Sequence, residues 1–490
     1  MSAGLTRRRL LGFAAAAPVC AKAATGESDA GLTSLPQDWD VIVIGSGLAG
    51  LTAAVTARES GAERVLVLEK GPLAGGHTLY SAGSIAVLSP KRQKPFGIED
   101  SADLWVQDAR KAGQTVSAAH IRRLAEGSEE AVDWLQRHGI VFAETVYQAV
   151  GDLHPRSVTA LGISAGRRYI ITLHSAARRL GVRVILGARA LALGRADATG
   201  RVSVTAGQPD GRGPKKHLRA AAVVIATGGF TANTAMRLLV DSRLTADIPT
   251  TANPEGLYWD GASGDGIRMG RALGAAVAGM ENIILLPYAG GRLLDYVGGD
   301  IYVNQEGQRF VDESAPVYDI AEAILRQPGR SVWVITDSAS RKGASLGLKL
   351  TNGTVRRSDT IREAAEGMGV PPAVLERTVR EYNEDVVRGR DRRFGKTVFT
   401  QTIEVPPFYW GRESVFVHMT LGGLSVTPDA ALLDPAGRPI EGFWAAGETT
   451  GGIFGRGRPG GMSLAGCLVF GRRAGRSAAE RAAALRSQQQ

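Results

Sequence analysis

The fold of this chain is decided by the stretch Asp40-Val-Ile-Val-Ile-Gly-Ser-Gly-Leu-Ala-Gly50, in which an apolar strand runs into a G-x-G-x-x-G turn. Gly45 would permit the tight turn, and Gly47 would let the backbone approach a pyrophosphate. Gly50 would let the following helix pack closely on the strand. The N-terminus of that helix offers unpaired N–H groups to phosphate. The stretch therefore predicts the first part of a dinucleotide-binding domain.

The strand that should follow is Arg64-Val-Leu-Val-Leu-Glu69, which ends in an acid. Glu69 would lie where a ribose 2′-hydroxyl needs a hydrogen-bond acceptor. The turn alone is weak evidence, but strand, helix and acid stand here at the spacing of a complete βαβ unit. Because 490 residues exceed one compact core, we expect an α/β fold with a second domain.

The N-terminus has the pattern of an export signal. Thr6-Arg-Arg-Arg-Leu-Leu-Gly12 contains a twin arginine, Leu10 to Val19 form a short apolar core, and Ala21-Lys-Ala23 is a small-x-small cleavage site. The apolar core is shorter than a membrane-spanning helix. We expect residues 1–23 to be a twin-arginine signal peptide on a periplasmic protein that is not an integral membrane protein. The alternative is a basic tail on a cytosolic protein.

Charge and cysteine usage exclude several classes of function. The formal net charge is +10, and it falls to about +6 without residues 1–23. Such a charge favours anionic substrates or an acidic electron carrier. No block of Lys and Arg alternates with aromatic residues, which argues against nucleic-acid binding. Cleavage would remove Cys20 and leave Cys467, so an internal disulfide, a cysteine-rich metal site and a C-x-x-C-H haem attachment are not expected.

Periodicity predicts further elements. Two helical runs lie within residues 101–138, and Ala220 to Phe230 is a buried strand with two glycines at its C-terminal end, where open α/β sheets bind ligands. From about Glu281 to His418 short strands alternate with charged helices, which indicates an inserted domain. Glycine-rich sequence returns at Gly442–Gly452, before a last helix from about Met462.

From Trp39 to about Ala482 the chain resembles the flavoprotein subunit of fumarate reductases and succinate dehydrogenases, and most of all their exported, flavocytochrome-type members. Besides the βαβ unit, six motifs carry this resemblance: Gly75-Gly-His-Thr-Leu-Tyr-Ser-Ala-Gly83, Ala226-Thr-Gly-Gly-Phe230, Gly264-Asp-Gly266, Arg309-Phe-Val-Asp-Glu313, His418-Met-Thr-Leu-Gly-Gly423 and Gly447-Glu-Thr-Thr-Gly-Gly452 with its continuation to Arg458-Pro-Gly-Gly461.

The resemblance implies FAD as the cofactor. It implies a Rossmann-like FAD-binding domain of residues 38–281 and 420–490, preceded by a polar linker at 24–37 and interrupted by an α+β capping domain at 282–419. A flavoenzyme that takes hydride from a nicotinamide usually shows a second such unit, and no second strand-turn-helix unit of this kind appears after Gly71. Electrons would therefore come from, or go to, a separate carrier such as a c-type cytochrome or a quinone.

The residues expected to hold FAD follow from the βαβ unit and from the resemblance. They are Gly45, Gly47, Leu48, Ala49, Gly50, Glu69, Lys70, Gly76, His77, Thr78, Ala82, Gly83, Ala190, Ala226, Thr227, Gly228, Asp265, Gly447, Glu448, Gly461, Met462, Ser463 and Leu464. The last four begin the final helix, whose positive dipole end would face the flavin. His77 stands where membrane-bound relatives carry a histidine bonded covalently to the flavin. Because neutral imidazole is a competent nucleophile, His77 either forms this bond or hydrogen-bonds near the ring.

At the substrate end, the resemblance matches only in part. His418 and Arg458 match a histidine and an arginine that hold one carboxylate, and arginine suits that task. The family's His-Pro pair at the other end is Leu286-Pro287 here, and the Thr-Glu that follows it is absent. A second carboxylate would therefore lack a partner, which disfavours fumarate.

The proton donor departs from the family as well. The family places an arginine four residues after the Glu of R-F-x-x-E and directly before an Asp, whereas Val317 lies four residues after Glu313 and Tyr318 precedes Asp319. A phenol can donate a proton to carbon. Tyr318 is therefore a candidate catalyst, and the alternative is an ordinary core aromatic.

The predicted site is asymmetric, with one anionic clamp and an apolar end at Leu286, Tyr288, Leu293 and Tyr296. We expect an exported FAD-dependent oxidoreductase that oxidises or reduces a Cα–Cβ bond next to a carboxylate or carbonyl by hydride transfer with the flavin. Its catalytic residues would be Tyr318, Arg458 and His418, and metal ligands are not expected. The alternatives are a 3-ketosteroid-type dehydrogenase and a non-catalytic electron-transfer flavoprotein.

Overall fold

The computed structural model describes residues 31–489 apart from 150, 163, 257–258, 288–289, 295 and 344. The predicted signal peptide, the first half of the predicted linker and Tyr288 lie outside the described residues. The helices are α1 (Leu48–Glu59), α2 (Pro90–Gln93), α3 (Ala102–Gly113), α4 (Ala118–Arg137), α5 (Ala165–Arg179), α6 (Thr234–Val240), α7 (Asp265–Leu273), α8 (Val317–Leu325), α9 (Leu346–Thr351), α10 (Ile361–Met368), α11 (Pro372–Arg388) and α12 (Met462–Gln489).

The strands are β1 (Asp38–Ile44), β2 (Val65–Leu68), β3 (Ile85–Ala86), β4 (Ser157–Val158), β5 (Arg183–Ile185), β6 (Arg189–Gly194), β7 (Val202–Gly207), β8 (Lys216–Ile225), β9 (Val277–Ala278), β10 (Ile283–Leu286), β11 (Ile301–Val303), β12 (Ser331–Thr336), β13 (Arg356–Ser358), β14 (Phe408–Ser414), β15 (Phe416–Thr420), β16 (Gly423–Ser425), β17 (Ala431–Leu433), β18 (Pro439–Ala445) and β19 (Thr450–Gly451). The predicted βαβ unit, both helices within residues 101–138 and the last helix from Met462 are confirmed.

The central sheet has the order β17-β18-β8-β1-β2-β5, and the β6–β7 hairpin joins it at the start of β8. Strands β18, β8, β1, β2 and β5 are parallel. The α/β fold class is therefore confirmed. The turn after β1, the acid after β2 and the glycines after β8 all come to one edge of the sheet, because the carboxyl ends of parallel strands lie together.

Both faces of this sheet are covered. Along β1, Val41 and Val43 pack into one core with α1 and α12, while Ile42 and Ile44 pack into a second core on the opposite face. This alternation follows from the period of two residues in a strand. An unbroken apolar strand is what a parallel sheet buried on both sides requires.

Two glycines bring α1 close to β1, as the sequence predicts. Gly45 has φ +102°, and a Cβ atom there would collide with the carbonyl oxygen of Ala226. A Cβ atom on Gly50 would collide with the carbonyl oxygen of Gly45. The helix therefore starts directly at the end of the strand.

Residues 282–419 contain a second antiparallel sheet in the order β11-β12-β14-β13. Its core with α10 and α11 is separate from the two cores of the central sheet. Strands β10 and β15, which lead into and out of this region, pair with each other. These observations support the proposed capping domain with boundaries near 282 and 419, and we call the remaining residues the body.

The described part of the predicted linker is not a solvated connector. Leu32 and Leu35 are buried in the core that contains Ile42 and Trp39. The prediction of a polar linker was wrong for residues 31–37, because two leucines among polar residues are enough to dock this segment on the sheet. No helix within the described part of residues 31–489 is both long and apolar enough to cross a bilayer.

This packing predicts a measurable contribution of the segment to stability. Leu35 is 2% exposed, so Leu35→Ala should lower the free energy of unfolding by about 2–4 kcal/mol in denaturant titration. Leu239→Ala is the matched control, because Leu239 is 86% exposed, and its effect should stay near zero. Equal, negligible effects of both substitutions would show that the segment is a linker after all.

Candidate active site

Two connected cavities lie at the carboxyl edge of the central sheet. The larger has a volume of about 1130 Å³ and lies between body and capping domain. The smaller has a volume of about 330 Å³ and follows the βαβ turn. Both are lined by the same six residues at their junction: His77, Thr78, Tyr80, Gly447, Glu448 and Cys467. Together they form one continuous cleft. Each motif that the sequence analysis assigned to the body contributes residues to its lining.

The N-terminus of α1 fits a pyrophosphate. Its N-cap is Gly47, which has no side chain to cap the helix, and the first turn carries no acid. A Cβ atom on Gly47 would meet only the carbonyl oxygen of Gly75, at 3.8 Å, so the space above the turn is open. The N–H of Leu48 makes a long hydrogen bond to Oγ1 of Thr78, at 3.4 Å. A helix start without a side-chain cap and without an acid in its first turn suits a phosphate group.

Next to the proposed phosphate position, two carboxylates are held in place, one by hydrogen bonds and the other by cations. Glu69 accepts hydrogen bonds from the N–H and Oγ of Ser46 and from the N–H of Gly71, at 2.6–2.9 Å. These bonds hold its carboxylate on the smaller cavity, where the sequence places a ribose acceptor. Asp265 receives bonds from Lys70 and Arg189. Burial alone would raise the pKa of Asp265, but these cations hold it below its ordinary value.

His77 lies at the junction of the two cavities between two carboxylates. Its Nε2 is 2.7 Å from Oδ1 of Asp260, and its Nδ1 is 3.7 Å from Oε2 of Glu448. Burial opposes the charged form, yet the bonds to Asp260 and Glu448 raise the pKa of His77 to about 10. A pKa raised in this way favours the imidazolium at neutral pH, which would have to lose a proton before a ring nitrogen could attack a flavin methyl group.

The final helix begins at the larger cavity. Gly461 through Leu464 line it, and Gly461 has φ +72°. A Cβ atom on Gly461 would lie 2.6 Å from the backbone nitrogen of Ala86. The positive end of the α12 dipole is thus held against the cavity wall, where negative charge is stabilised.

Arg458 and His418 meet on the larger cavity, as predicted. The Arg458 guanidinium donates to the carbonyl oxygen of Pro459 at 3.0 Å and contacts Sδ of Met419 at 3.3 Å. None of the ion pairs among the described residues involves Arg458. Burial lowers the pKa of Arg458 to about 10, so it stays cationic at neutral pH.

His418 is the neutral partner of Arg458. Its Nδ1 is hydrogen-bonded to Oγ1 of Thr251 at 2.9 Å. Burial, together with the charges of Arg458 and His77, lowers the pKa of His418 to about 3. His418 therefore offers a neutral ring at physiological pH, which can donate or accept a single hydrogen bond.

Tyr318 lies on α8 of the capping domain and faces the same cavity. The guanidinium carbon of Arg456 lies 4.4 Å from its ring centroid, and that of Arg243 lies 4.8 Å away. Arg456 also pairs with the neighbouring Asp319 at 3.2 Å. Tyr318 is thus half-buried between two cations rather than packed in an apolar core.

The opposite end of the cavity combines apolar side chains with cations, and one predicted residue lies elsewhere. Leu286 and Leu293 line the cavity. Tyr296 is not part of the cavity wall, because its ring packs against Leu293 and Arg341 outside it. Arg292 also lines the cavity, but it is paired with Asp300 at 3.1 Å, and both side chains are almost fully buried.

The predicted FAD-contacting residues separate into four groups. Lining the smaller cavity are Gly45, Gly47, Leu48, Ala49, Glu69, Lys70, Gly76, Ala190, Ala226, Thr227, Gly228 and Asp265. Lining the larger one are Ala82, Gly83, Gly461, Met462, Ser463 and Leu464. Lining both are His77, Thr78, Gly447 and Glu448. Gly50 lines neither and acts only through helix packing.

Sequence reasoning missed the partners of the site residues. Asp260, Thr251 and Arg243 lie far along the chain from the side chains that they contact, and no local pattern marks them. Arg456 did carry a signal, since it stands two residues before Arg458 in the same loop. Within the described ranges, no cluster of His, Cys, Asp or Glu side chains could hold a metal ion.

Comparison with known proteins agrees with this geometry. The model of the FAD binding domain family matches residues 40–464. The chain belongs to this flavoprotein family. It is 32% identical over 455 residues to a probable fumarate reductase of Shewanella frigidimarina, covering 90% of this chain and 75% of the relative. It is 33% identical to the urocanate reductase of Eggerthella lenta, covering 93% and 76% of the two chains.

A solved structure is also similar over nearly the whole length. The 3-ketosteroid-Δ4-(5α)-dehydrogenase of Rhodococcus jostii RHA1 has a TM-score of 0.73 and 29% identity, covering 92% of this chain and 99% of that one. The resemblance to the fumarate reductase flavoproteins is confirmed, and so is FAD as the cofactor. The chain is an FAD-dependent oxidoreductase that acts on CH–CH groups.

The two glycines of the turn should respond differently to substitution by alanine. Gly50→Ala forces a side chain against the backbone of β1, so it should lower the free energy of unfolding of the FAD-free protein by about 1–3 kcal/mol. Gly47→Ala has room in the protein and should leave that value nearly unchanged, while it weakens FAD binding measured by fluorescence titration. Unaltered FAD affinity in Gly47→Ala would contradict the pyrophosphate position.

The charge of His77 predicts a flavin that is not covalently attached. After acid precipitation of the purified holoprotein, we expect all of the flavin in the supernatant, because protonated imidazole cannot form the bond. If flavin stays in the pellet of the unmodified protein but is released to the supernatant from His77→Ala, the flavin is bonded covalently to His77 and the prediction is wrong. Absorbance at the flavin maximum in both fractions is a sufficient measurement.

Proposed function

We propose that this FAD-dependent oxidoreductase oxidises or reduces the Cα–Cβ bond of a substrate with a single carboxylate or carbonyl anchor and an apolar remainder. The curated relatives include reductases whose names specify fumarate, urocanate and acrylate. Those names describe compounds in which a C=C bond stands beside an acid group. The choice among them depends on what the cavity of this chain can bind.

The observation that carries the proposal is Arg458, a cation on the cavity wall without a carboxylate partner among the described residues. A desolvated guanidinium is unfavourable until an anion or a polarised oxygen joins it. Carboxylate and carbonyl oxygens fit the donor fork of arginine. Neutral His418, held by Thr251, would donate the accompanying hydrogen bond.

A second carboxylate finds no comparable partner at the other end. Leu286 and Leu293 form part of the wall there, and Arg292 on the same wall is already paired with Asp300. Leaving a carboxylate against apolar side chains costs several kcal/mol. This supports the proposal that fumarate is not the natural substrate.

Two further cations on the cavity wall are occupied by other groups. Lys349 donates to the carbonyl oxygens of Gly290 and Arg292 at 2.6–2.7 Å. The Arg341 guanidinium lies over the ring of Tyr296, 5.5 Å from its centroid. Arg458 therefore remains the cation best placed to anchor the substrate.

In the proposed reaction, bound FAD supplies or accepts the hydride at the β-carbon. Arg458 and His418 hold the acid or carbonyl group and stabilise the negative charge that develops on its oxygen. Tyr318 gives a proton to the α-carbon during reduction and would take it during oxidation. The buried wall of the cavity excludes water from the reacting bond.

A 3-ketosteroid-type dehydrogenase is the second candidate. The similarity to a solved ketosteroid dehydrogenase and the apolar wall around Leu286 and Leu293 favour it. A ketone oxygen could then replace the carboxylate at Arg458. The non-catalytic electron-transfer alternative is set aside, because the family membership makes the chain an enzyme.

We also propose that the protein is exported to the periplasm by the twin-arginine signal of residues 1–23. In that compartment a separate carrier, such as a c-type cytochrome or a quinone, would exchange electrons with it. The sequence shows no second strand-turn-helix unit of the dinucleotide-binding kind, which supports this part of the proposal.

The test is an anaerobic flavin titration with matched compounds. The reduced holoprotein is mixed with short and aryl-substituted enoates, with fumarate, with enones and with steroid enones, and flavin absorbance is followed. We expect rapid reoxidation by monocarboxylate enoates or enones and slow reoxidation by fumarate. Reoxidation by fumarate at the fastest rate of the panel would refute the asymmetric site.

The same assay identifies the anchor. Arg458→Ala should raise the KM for an active enoate at least about 30-fold, because it removes the buried partner of a charged group. Arg458→Lys keeps the positive charge but lacks the two parallel N–H donors of arginine. Its KM should lie between that of the unmodified enzyme and that of Arg458→Ala. An Arg458→Ala enzyme with an unchanged KM would contradict the proposed anchor, whichever compound is active.

A further inference from the structure

Helix α8 carries three polar side chains where the capping domain meets the body. Tyr318, Asp319 and Glu322 occupy its first turns, and Tyr318 faces the active-site cavity. The phenol oxygen of Tyr318 makes no hydrogen bond to any residue that the structure describes. No hydrogen bond from its own domain therefore holds the phenol oxygen in place.

Two arginines of the body contact the Tyr318 ring. The Arg243 guanidinium pairs with Glu322 at 2.8 Å and lies over the Tyr318 ring, 4.8 Å from its centroid. It is itself held by Asp241 through a two-pronged contact at 2.7–2.9 Å. Arg243 is thus immobilised by one acid from each domain.

Arg456 makes the second contact from the loop that also carries Arg458. Its guanidinium carbon lies 4.4 Å from the centroid of the Tyr318 ring, and it pairs with Asp319 at 3.2 Å. Arg456 also lines the active-site cavity. Gly457, between the two arginines, is close enough that a Cβ atom there would lie 3.8 Å from Cβ of Tyr318.

We propose that Arg456 and Arg243 are positioning residues, a guanidinium clamp that holds Tyr318 of the capping domain over the substrate bound to Arg458 of the body. The inference rests on the proposed role of Tyr318 as proton donor. The clamp makes the position of the donor depend on docking of the capping domain, because each arginine joins an acid of α8 to the body.

The clamp has a chemical consequence as well. During reduction the O–H bond of Tyr318 breaks, a C–H bond forms at the α-carbon, and a phenolate remains until solvent returns the proton. Two guanidinium groups within 5 Å of the ring stabilise this negative charge. The side chain of Asp319, which pairs with Arg456, is 45% exposed, so solvent reaches this end of the clamp.

A double-mutant cycle tests the clamp. Arg456→Ala should lower kcat at least about tenfold, while the KM and the affinity for FAD stay within twofold, and it should increase the solvent isotope effect on kcat. In a Tyr318→Phe background the same substitution should lower kcat less than twofold, because Arg456 acts through the phenol group. Arg456→Lys, which retains the ion pair but not the planar stacking, should recover part of the loss.

Arg326→Ala is the matched control. Arg326 also pairs with Glu322 on α8, but it is 76% exposed and makes no contact with Tyr318 in the structure. Its kcat should stay within twofold of the unmodified enzyme. Equal losses from Arg456→Ala in both backgrounds, or a kcat within twofold of the unmodified enzyme, would overturn the clamp.

The outcomes separate this inference from the function on which it rests. If Tyr318→Phe alone retains near-normal turnover, the proton-donor role fails whatever Arg456 does. If Tyr318→Phe is slow while Arg456→Ala and Arg456→Lys are both normal, the proposed function stands and the clamp fails. Thermal melting of each holoprotein shows whether a variant is folded. If Arg456→Ala is unfolded, Arg456→Lys is used to test the clamp instead.

Discussion

The structure depends on helix α1 packing against strand β1 with no side chain between them. Gly50 meets the carbonyl oxygen of Gly45 directly, and α12 approaches α1 equally closely through Gly471 and Gly475, which face Ala49 and Ala53. Any larger residue at these contacts would move a helix away from the sheet. Because the two helix N-termini border the two connected cavities, the same contacts fix both positive dipole ends of the cofactor site.

Charge in the site is distributed by pairing. His77 has carboxylates on both sides, Asp265 has Lys70 and Arg189, and these groups are neutralised within the protein. Arg458 lacks such a partner among the described residues. In a water-poor cavity this difference determines where a substrate anion binds, because only an uncompensated cation gains from a new partner.

The capping domain has a core of its own around α10 and α11, but α8 packs in a second core that it shares with the body. Arg243 and Arg456 reach Tyr318 from two separate body segments, and each also contacts an acid on α8. A site assembled at a domain boundary can form only when both parts are in place. Anchor and donor come from different domains, so their separation is set by how the domains dock.

The predictability of the site differs between its two halves. The cofactor half could be predicted in detail, since Gly45, Gly47 and Gly50 act on atoms a few residues away and Glu69 follows at the end of the next strand. The catalytic half could be predicted only as single residues. Tyr318 emerged from its place after Glu313, but the arginines on its ring could not be found, because no local rule links α8 to the loop before Arg458.

The sequence by itself determined the α/β fold and the glycine turn after β1, because each follows from residue types within one or two adjacent elements, and it predicted an asymmetric substrate end. Only the tertiary structure decided that Arg458 has no ion-pair partner among the described residues while Arg292 is paired with Asp300. It also decided that the pKa of His77 is raised while that of His418 is lowered. These properties depend on burial and on through-space distances between residues far apart in the chain, and a linear pattern contains neither.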